Sequence, residues 1–359
     1  MKPDSRILRV IGLMSGTSAD GVDAAALETD GAHHIKFLDA LTLPYAVEFQ
    51  ERLIGLAHGD VPLLDVLRIE RELTEYHIHA VTRLRARAAL RGWTLDLIGF
   101  HGHTIRHRPD EGLTWQLGDA SLLAEHTSTP VVADFRRRDL ALGGQGAPLA
   151  PLYHAALLHQ HPKPVAVLNL GGVGNLTWCG AKGEIIAGDT GPGCGLLDAW
   201  AVRHLQSPFD RDGQLAARGT VDRARVVEFL RHPFFGRPFP KSADRFDFNS
   251  GDLAHLAAED GAATLCAMTA EAVRIAFGQF PEAPRAIYVT GGGVHHPVLM
   301  QEIRQRLGTV ESVAALGLRP GSLEAECFAW LAVRHLHGLP FALPTTTGCA
   351  EPRTGGGLY

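Results

Sequence analysis

The sequence predicts an α/β fold of two lobes, and three observations carry that expectation. Strands alternate with helices through the second half of the chain. A strand, a small polar tip rich in glycine and a returning strand occur twice, about half a chain apart, with tips at residues 14–21 and 171–175. The 359 residues are 45% apolar and 20% charged, which excludes disorder and fills two domains of roughly 100–200 residues each.

Residues 6–13 read as a strand, 14–21 as a run of Ser, Gly, Thr and Asp, and 22–28 as a second strand, together a hairpin. Ile69, Leu73, Tyr76, Ala80 and Leu84 follow helical spacing, so residues 63–90 form one amphipathic helix or two abutting ones. Residues 95–101 are a strand ending in Gly-Phe-His-Gly-His. A short helix at 120–126 leads to a strand at 129–135 and to a loop bearing Arg136, Arg137, Arg138 and Asp139, and residues 148–160 read as helical. The second hairpin joins a strand at 165–170 to one through Leu176-Thr177-Trp178. Residues 184–188 are a strand ending at Asp189, and Leu197, Trp200, Ala201 and Leu205 mark the buried stripe of the next helix. Further helices span 262–277 and 322–337. Between them a strand at 286–290 feeds three glycines, and His296-Pro297 starts a helix with proline at its favoured first position. The Thr/Gly/Pro-rich tail, 344–359, reads as an ordered loop or strap.

A net charge of −5 leaves no global basic field, which argues against nucleic acid as a partner. No apolar run approaches the ~20 residues that cross a bilayer, and the opening MKPDSRILRV lacks the apolar core of a secretory signal. A cytoplasmic location without membrane partners is expected. Five scattered cysteines, Cys179, Cys194, Cys266, Cys327 and Cys349, form no CxxC pair and read as reduced, mostly buried thiols.

The first tip, Gly16, Thr17, Ser18, Ala19, Asp20 and Gly21, followed by Val22 and Asp23, offers hydroxyls, acids and open backbone of the kind a triphosphate with Mg²⁺ needs. It lacks the lysine of a Walker A loop, and the plain alternative is a polar turn. Gly171 and Gly172 repeat the device. Asp189-Thr-Gly-Pro-Gly193 puts a carboxylate beside glycines and a helix start; an N-cap is its structural alternative, and a catalytic carboxylate is preferred. Gly291, Gly292 and Gly293 suit an adenine and ribose pocket, or a crowded strand–helix junction. His101, His103 and His107 lack the acid or cysteine that would complete a zinc set. Arg136 can hold a carboxylate bidentately, and Glu324 lies in the first turn of a helix.

Gly12-Leu-Met-Ser-Gly-Thr-Ser-Ala-Asp-Gly-Val-Asp23, Gly99-Phe-His-Gly-His-Thr104, Ala133-Asp-Phe-Arg136, Gly143-Gly-Gln-Gly-Ala-Pro148, Asn169-Leu-Gly-Gly172, Asp189-Thr-Gly-Pro-Gly193 and Thr290-Gly-Gly-Gly293 together resemble the anhydro-N-acetylmuramic acid kinase family over nearly the whole chain. Residues 241–253 resemble their counterpart more loosely, and Cys194 stands where the family usually has Asn. The resemblance implies a two-lobed actin-like ATPase fold, shared with hexokinases and other sugar kinases, with an interlobe cleft. It implies ATP- and Mg²⁺-dependent conversion of 1,6-anhydro-N-acetylmuramic acid to N-acetylmuramate 6-phosphate and ADP in peptidoglycan recycling, and admits a homodimer. The expected organisation is a first lobe, 1–160, with the phosphate hairpin and part of the substrate site. A second lobe, 161–340, carries the second hairpin, the catalytic Asp and the adenosine site, and a strap covers 341–359. Asp189 is the expected base. Gly16–Asp23 (residues 16–23), Gly171, Gly172 and Gly291–Gly293 (residues 291–293) are assigned to nucleotide, and Arg136, Glu324 and His101 to sugar. An ordinary sugar kinase without ring opening, or a nucleotide-dependent binding module, are the alternatives.

Overall fold

The computed structural model describes residues 6–250 and 253–359, so Met1–Ser5 of the opening segment (residues 1–5) and Gly251 and Asp252 of the 241–253 stretch lie outside the described residues. The first unit runs through β1 (Leu8–Ser15), β2 (Gly21–Thr29), β3 (Ile35–Pro44), α1 (Val47–His58), α2 (Leu63–Leu90), β4 (Leu97–Arg108), β5 (Leu113–Leu117), α3 (Ala120–Thr127), β6 (Val131–Ala133), α4 (Arg137–Ala141) and α5 (Pro151–Leu157). The second contains β7 (Val165–Leu170), β8 (Val173–Cys179), β9 (Ile185–Pro192), α6 (Gly195–Leu205), α7 (Arg223–Phe229), α8 (Ala258–Phe277), β10 (Ala286–Thr290), α9 (Pro297–Leu307) and β11 (Glu311–Ser312). The chain then returns to the first unit with α10 (Leu323–Leu336) and β12 (Gly357–Leu358).

The two sheets repeat one topology. In the first unit the order β3-β2-β1-β4-β6 joins β1 to β2 and β2 to β3 antiparallel, then β1 to β4 and β4 to β6 parallel. In the second unit the order β9-β8-β7-β10-β11 has the same two antiparallel and two parallel pairings. β5 extends the first sheet beside the long end of β4, and β12 covers the free edge of β6. The hairpin seen twice in the sequence is therefore the start of two copies of one sheet.

In the first unit α2 buries Ile69, Leu73, His77, Ala80, Leu84 and Ala88, a helical stripe packed with Ile11, Leu13 and Phe100 of the sheet. The opposite face of this sheet is covered by α10. There Gly12 and Gly99 let the helix backbone approach: a Cβ on Gly12 would stand 1.8 Å from the Ala325 carbonyl oxygen, and one on Gly99 2.0 Å from that of Phe328. All six residues of β7 are buried, as expected for a strand covered on both faces. The core of the second unit joins Leu168, Leu170, Trp178 and Trp200 to α8 and α9.

The structure corrects the expected boundaries. The second unit spans Gln160–Gly321, and Ser322–Tyr359 belongs with the chain up to His159. The reason is α10, whose alanine-rich face fits the glycine strip of β1 and β4. The tail read as an ordered loop or strap pairs with β6 through Gly357 and Leu358 at its end. β3 and β5 were not read from the sequence, being partly exposed strands without a clear apolar alternation. Among the described residues no helix is long and apolar enough to cross a membrane.

Replacing Gly99 or Gly12 by Ala forces helix backbone away from the sheet. Each substitution is expected to destabilise the protein by about 1–3 kcal/mol or more, the range of overpacked cores, read as a lower urea midpoint at unchanged m-value.

Candidate active site

In the first unit the turn between β1 and β2 is closed by a bond from the Ala19 amide to the Gly16 carbonyl, 2.9 Å, and by Ser18 Oγ donating to Asp20 Oδ1 at 2.9 Å. Ala19 takes the left-handed conformation, φ 52°, although it is not glycine. Such a residue costs of order 1–3 kcal/mol, and here it is fully buried. Beneath the tip, Tyr45 donates to Ser15 Oγ at 2.8 Å and Ser15 Oγ lies 2.9 Å from His103 Nδ1, all three buried. This chain was not expected, because Tyr45 comes from a segment with no motif.

Asp23 faces across β2 to β3, where Thr42 Oγ1 donates to its Oδ1 at 2.6 Å. Burial raises its carboxyl to about 6, with the like charges of Asp20 and Glu324 adding to the effect against the Thr42 bond. Glu324 is in the first turn of α10, as expected, and the coupling puts it near Asp23.

His101 and Arg136 meet directly. Arg136 Nε donates to His101 Nε2 at 2.9 Å, and an arginine can only donate. His101 is therefore neutral, with its proton on Nδ1, which lies 3.0 Å from the Gly102 carbonyl. Burial, then the Arg136 charge, hold its pKa well below the ordinary histidine value. Arg136 Nη1 also reaches the Gly146 carbonyl at 2.8 Å, and the Gly146 amide donates to Asp139 Oδ2 at 2.7 Å. The segments 136–139 and 143–148 are thus one hydrogen-bonded structure. A Cβ on Gly144 would stand 2.2 Å from Asp139 Oδ2, so the loop wraps the carboxylate at a distance only glycine permits.

In the second unit the tip between β7 and β8 is tied to the turn after β9. The Gly172 carbonyl accepts from the amides of Gly193 and Gly195, both at 3.0 Å, and the Gly171 carbonyl from that of Cys194 at 2.7 Å. Asp189 is not at the end of its strand, as the sequence reading had it, but inside β9 opposite Asn175, three residues before Pro192. The N-cap alternative fails too: Cys194 occupies that position of α6, with no side-chain cap. Asp189 is buried. Its amide donates to the Lys241 carbonyl at 2.7 Å, and its Oδ2 accepts from the Ala243 amide at 2.8 Å. The backbone of 241–243 therefore runs beside β9 and holds the carboxylate in place. This clamp was missed, since the 241–253 stretch offered only a loose resemblance.

Gly291 and Gly293 are explained by packing. A Cβ on Gly291 (φ 83°) would meet Asn169 Oδ1 at 2.4 Å, and one on Gly293 would meet Leu170 Cβ at 2.6 Å and Cys194 Sγ at 2.9 Å. Gly292 alone has open space over its Cα. Cys194 points its sulfur toward the Leu170 carbonyl, 3.8 Å away, and burial pushes its thiol pKa up. It fills the junction as a small apolar group. His296 caps α9, as the His-Pro start suggested, accepting from the Leu299 amide at 3.1 Å while its other nitrogen lies 3.3 Å from Asp210.

The structure thus brings His101 to Arg136, Glu324 near Asp23, and the second tip to the turn following Asp189. A family model for anhydro-N-acetylmuramic acid kinase matches residues 8–359. The chain is 49% identical over 354 residues to the anhydro-N-acetylmuramic acid kinase of Rhizorhabdus wittichii, covering 96% of this chain and 97% of that one. It is 49% identical over 357 residues to that of Gluconobacter oxydans, with 95% and 97% covered, and 48% identical over 360 residues to that of Acidiphilium cryptum, with 97% of each covered. With a family match over nearly its full length and relatives nearly half identical to it, this chain belongs to the anhydro-N-acetylmuramic acid kinase family.

Proposed function

We propose that this protein opens the bridge of 1,6-anhydro-N-acetylmuramic acid with water and transfers the γ-phosphoryl group of ATP to the released 6-oxygen. The products are N-acetylmuramate 6-phosphate and ADP, and the setting is recycling of peptidoglycan in the cytoplasm. The observation that carries this reading is Asp189, a buried carboxylate fixed by a backbone amide within the family's Asp-Thr-Gly-Pro-Gly segment.

The bridge ties up the 6-oxygen, so no free hydroxyl exists to phosphorylate until it opens. A water oxygen attacks the anomeric carbon and gives its proton to Asp189. The bond from that carbon to the 6-oxygen breaks, and the freed oxygen attacks the γ-phosphorus in line as the bond to the β,γ-bridging oxygen breaks. Arg136, held by its bonds to His101 and Gly146, and Glu324 are assigned to the sugar, Arg136 through the lactyl carboxylate. The amides of residues 16–23 and of Gly171 and Gly172 are assigned to the phosphates, and the turn at Gly291, Gly292 and Gly293 to adenosine.

The donor set of the first unit fits Mg²⁺. Thr17, Ser18, Asp20 and Asp23 are all oxygen donors, and Mg²⁺ takes one or two carboxylates together with substrate phosphates and water. The like charges that crowd Asp23 also favour a cation beside it. When bound, Mg²⁺ supplies neutralisation of phosphate charge.

Three outcomes are expected. Asp189→Asn folds and binds nucleotide but loses turnover by about 10²–10⁴-fold, the usual share of a general base; phosphosugar formation near the wild-type rate, read by mass spectrometry, would remove Asp189 from the role. In water enriched in oxygen-18 the label appears at the anomeric carbon of the product; its absence would point to a kinase that phosphorylates a free hydroxyl. The carboxyl of Asp23 is raised in the folded state from 3.8 to about 6. Its stabilising contribution is therefore present in full below the unfolded value and lost as pH rises through about 6. Urea midpoints of the unliganded protein across that window should fall more steeply for wild type than for Asp23→Asn, and parallel curves would refute the shift.

A further inference from the structure

Tyr45 meets the first glycine turn twice, from a segment that carries no motif. Its hydroxyl donates to Ser15 Oγ at 2.8 Å, on the last residue of β1, and its amide donates to the Asp20 carbonyl at 3.2 Å, on the residue before β2. One residue thus bridges both ends of the turn. Gln50 of α1 adds a third bond, its Nε2 donating to the Ser18 carbonyl at 3.4 Å. Gly21 makes the approach possible, since a Cβ there would stand 2.6 Å from the Leu43 carbonyl oxygen. The tyrosine is itself held. Its ring packs edge-on against Phe49 and Tyr76, with centroids 5.0 and 4.9 Å apart, and the Tyr76 hydroxyl accepts from the Ala46 amide at 3.1 Å. Burial raises the Tyr45 pKa, so its hydroxyl keeps its proton and stays a donor. Ser15 Oγ also lies 2.9 Å from His103 Nδ1. Tyr45, Ser15 and His103 are all buried, where a polar group left without its partner is costly.

We propose that Tyr45 is a positioning residue of the nucleotide site: its two bonds fix the shape in which the turn of residues 16–20 meets the phosphates. The proposal rests on the assignment of residues 16–23 to nucleotide. Within the turn, Ala19 keeps a left-handed backbone, φ 52°, and is fully buried. A conformation of that kind persists only where the surroundings over-determine it. A turn that merely reverses the chain takes it at no steric cost with glycine; here the support comes from beneath, through Tyr45. Without the hydroxyl, the Ser15 end is released and the turn samples other shapes. Nucleotide affinity then falls by the fraction of molecules that keep the competent one. The sugar, assigned to Arg136 and Glu324, is bound as before.

The test is calorimetric titration of wild type, Tyr45→Phe, Ser15→Ala and Asp20→Ala with β,γ-imido-ATP and Mg²⁺, and separately with the anhydro sugar, beside urea midpoints of each protein. Tyr45→Phe keeps the ring and loses only the hydroxyl. Its Kd for the nucleotide rises about 3–10-fold, the worth of one hydrogen bond, while its Kd for the sugar stays within about twofold of wild type. Equal weakening of both ligands, or a lowered urea midpoint with unchanged nucleotide affinity, overturns the proposal, since a tyrosine that only packs the core has no reason to single out the nucleotide. Tyr45→Phe and Ser15→Ala cut the same bond, so the doubly substituted protein loses less nucleotide affinity than the product of the two single factors; the full product overturns the proposal. If Tyr45→Phe fails to fold, Ser15→Ala decides: a selective loss of nucleotide supports the role and an unchanged affinity overturns it. Asp20→Ala separates the two readings. Wild-type nucleotide affinity there defeats the assignment of the turn to phosphate, whereas a weakened Asp20→Ala beside an unchanged Tyr45→Phe defeats only the role of Tyr45.

Discussion

Close approach of backbone to backbone at glycine is the constraint on which both units depend. In the first, Gly12 and Gly99 admit α10 to the sheet at a distance that any side chain would forbid. In the second, Gly193 lies so near the hairpin tip that a Cβ would stand 2.1 Å from the Gly171 carbonyl oxygen. Three hydrogen bonds, donated by the amides of residues 193–195 to the carbonyls of Gly171 and Gly172, follow from that proximity. They join the tip, the helix start and the end of β9 into one rigid piece. Asp189 sits within it, so its place is set by the main chain rather than by its own rotamer.

The carboxylates show how environment assigns different tasks to one chemical group. Asp139 accepts from the Gly146 amide and from Thr347 Oγ1, and shapes a loop. Asp23 is drawn toward its neutral form by burial and by the like charges of Asp20 and Glu324, against the bond from Thr42. Asp189 is buried and held in place by the Ala243 amide on its Oδ2. Their difference lies in what surrounds each, hydrogen-bond donors or like charges.

Arg136 illustrates the same point for a cation. Its bonds to His101 and Gly146 use two of its nitrogens to fix the guanidinium plane, and they force His101 to remain neutral. A histidine cluster that could have been read as metal-binding is instead divided among an arginine, a serine and a threonine: His101 with Arg136, His103 with Ser15, and His107 with Thr114.

Much of this was legible along the chain. The stripe of α2, the continuous apolar run of β7, the His-Pro start of α9 and the two glycine tips are encoded by neighbours a few residues apart, where period and turn chemistry act directly. The same local signals, with the family resemblance, singled out Asp189. Other features arise between segments far apart in sequence. Ala243 holds Asp189 from 54 residues away, the Lys241 ammonium finds the Phe234 carbonyl and the rings of Phe234 and Phe239, and α10 rejoins the first unit after the whole of the second. β3 and β5 are strands because partners pair with them, not because their side chains alternate cleanly. Residue spacing records which face of an element is buried; which distant segment covers that face, and whether a charge there finds a partner, is decided only when the chain closes on itself.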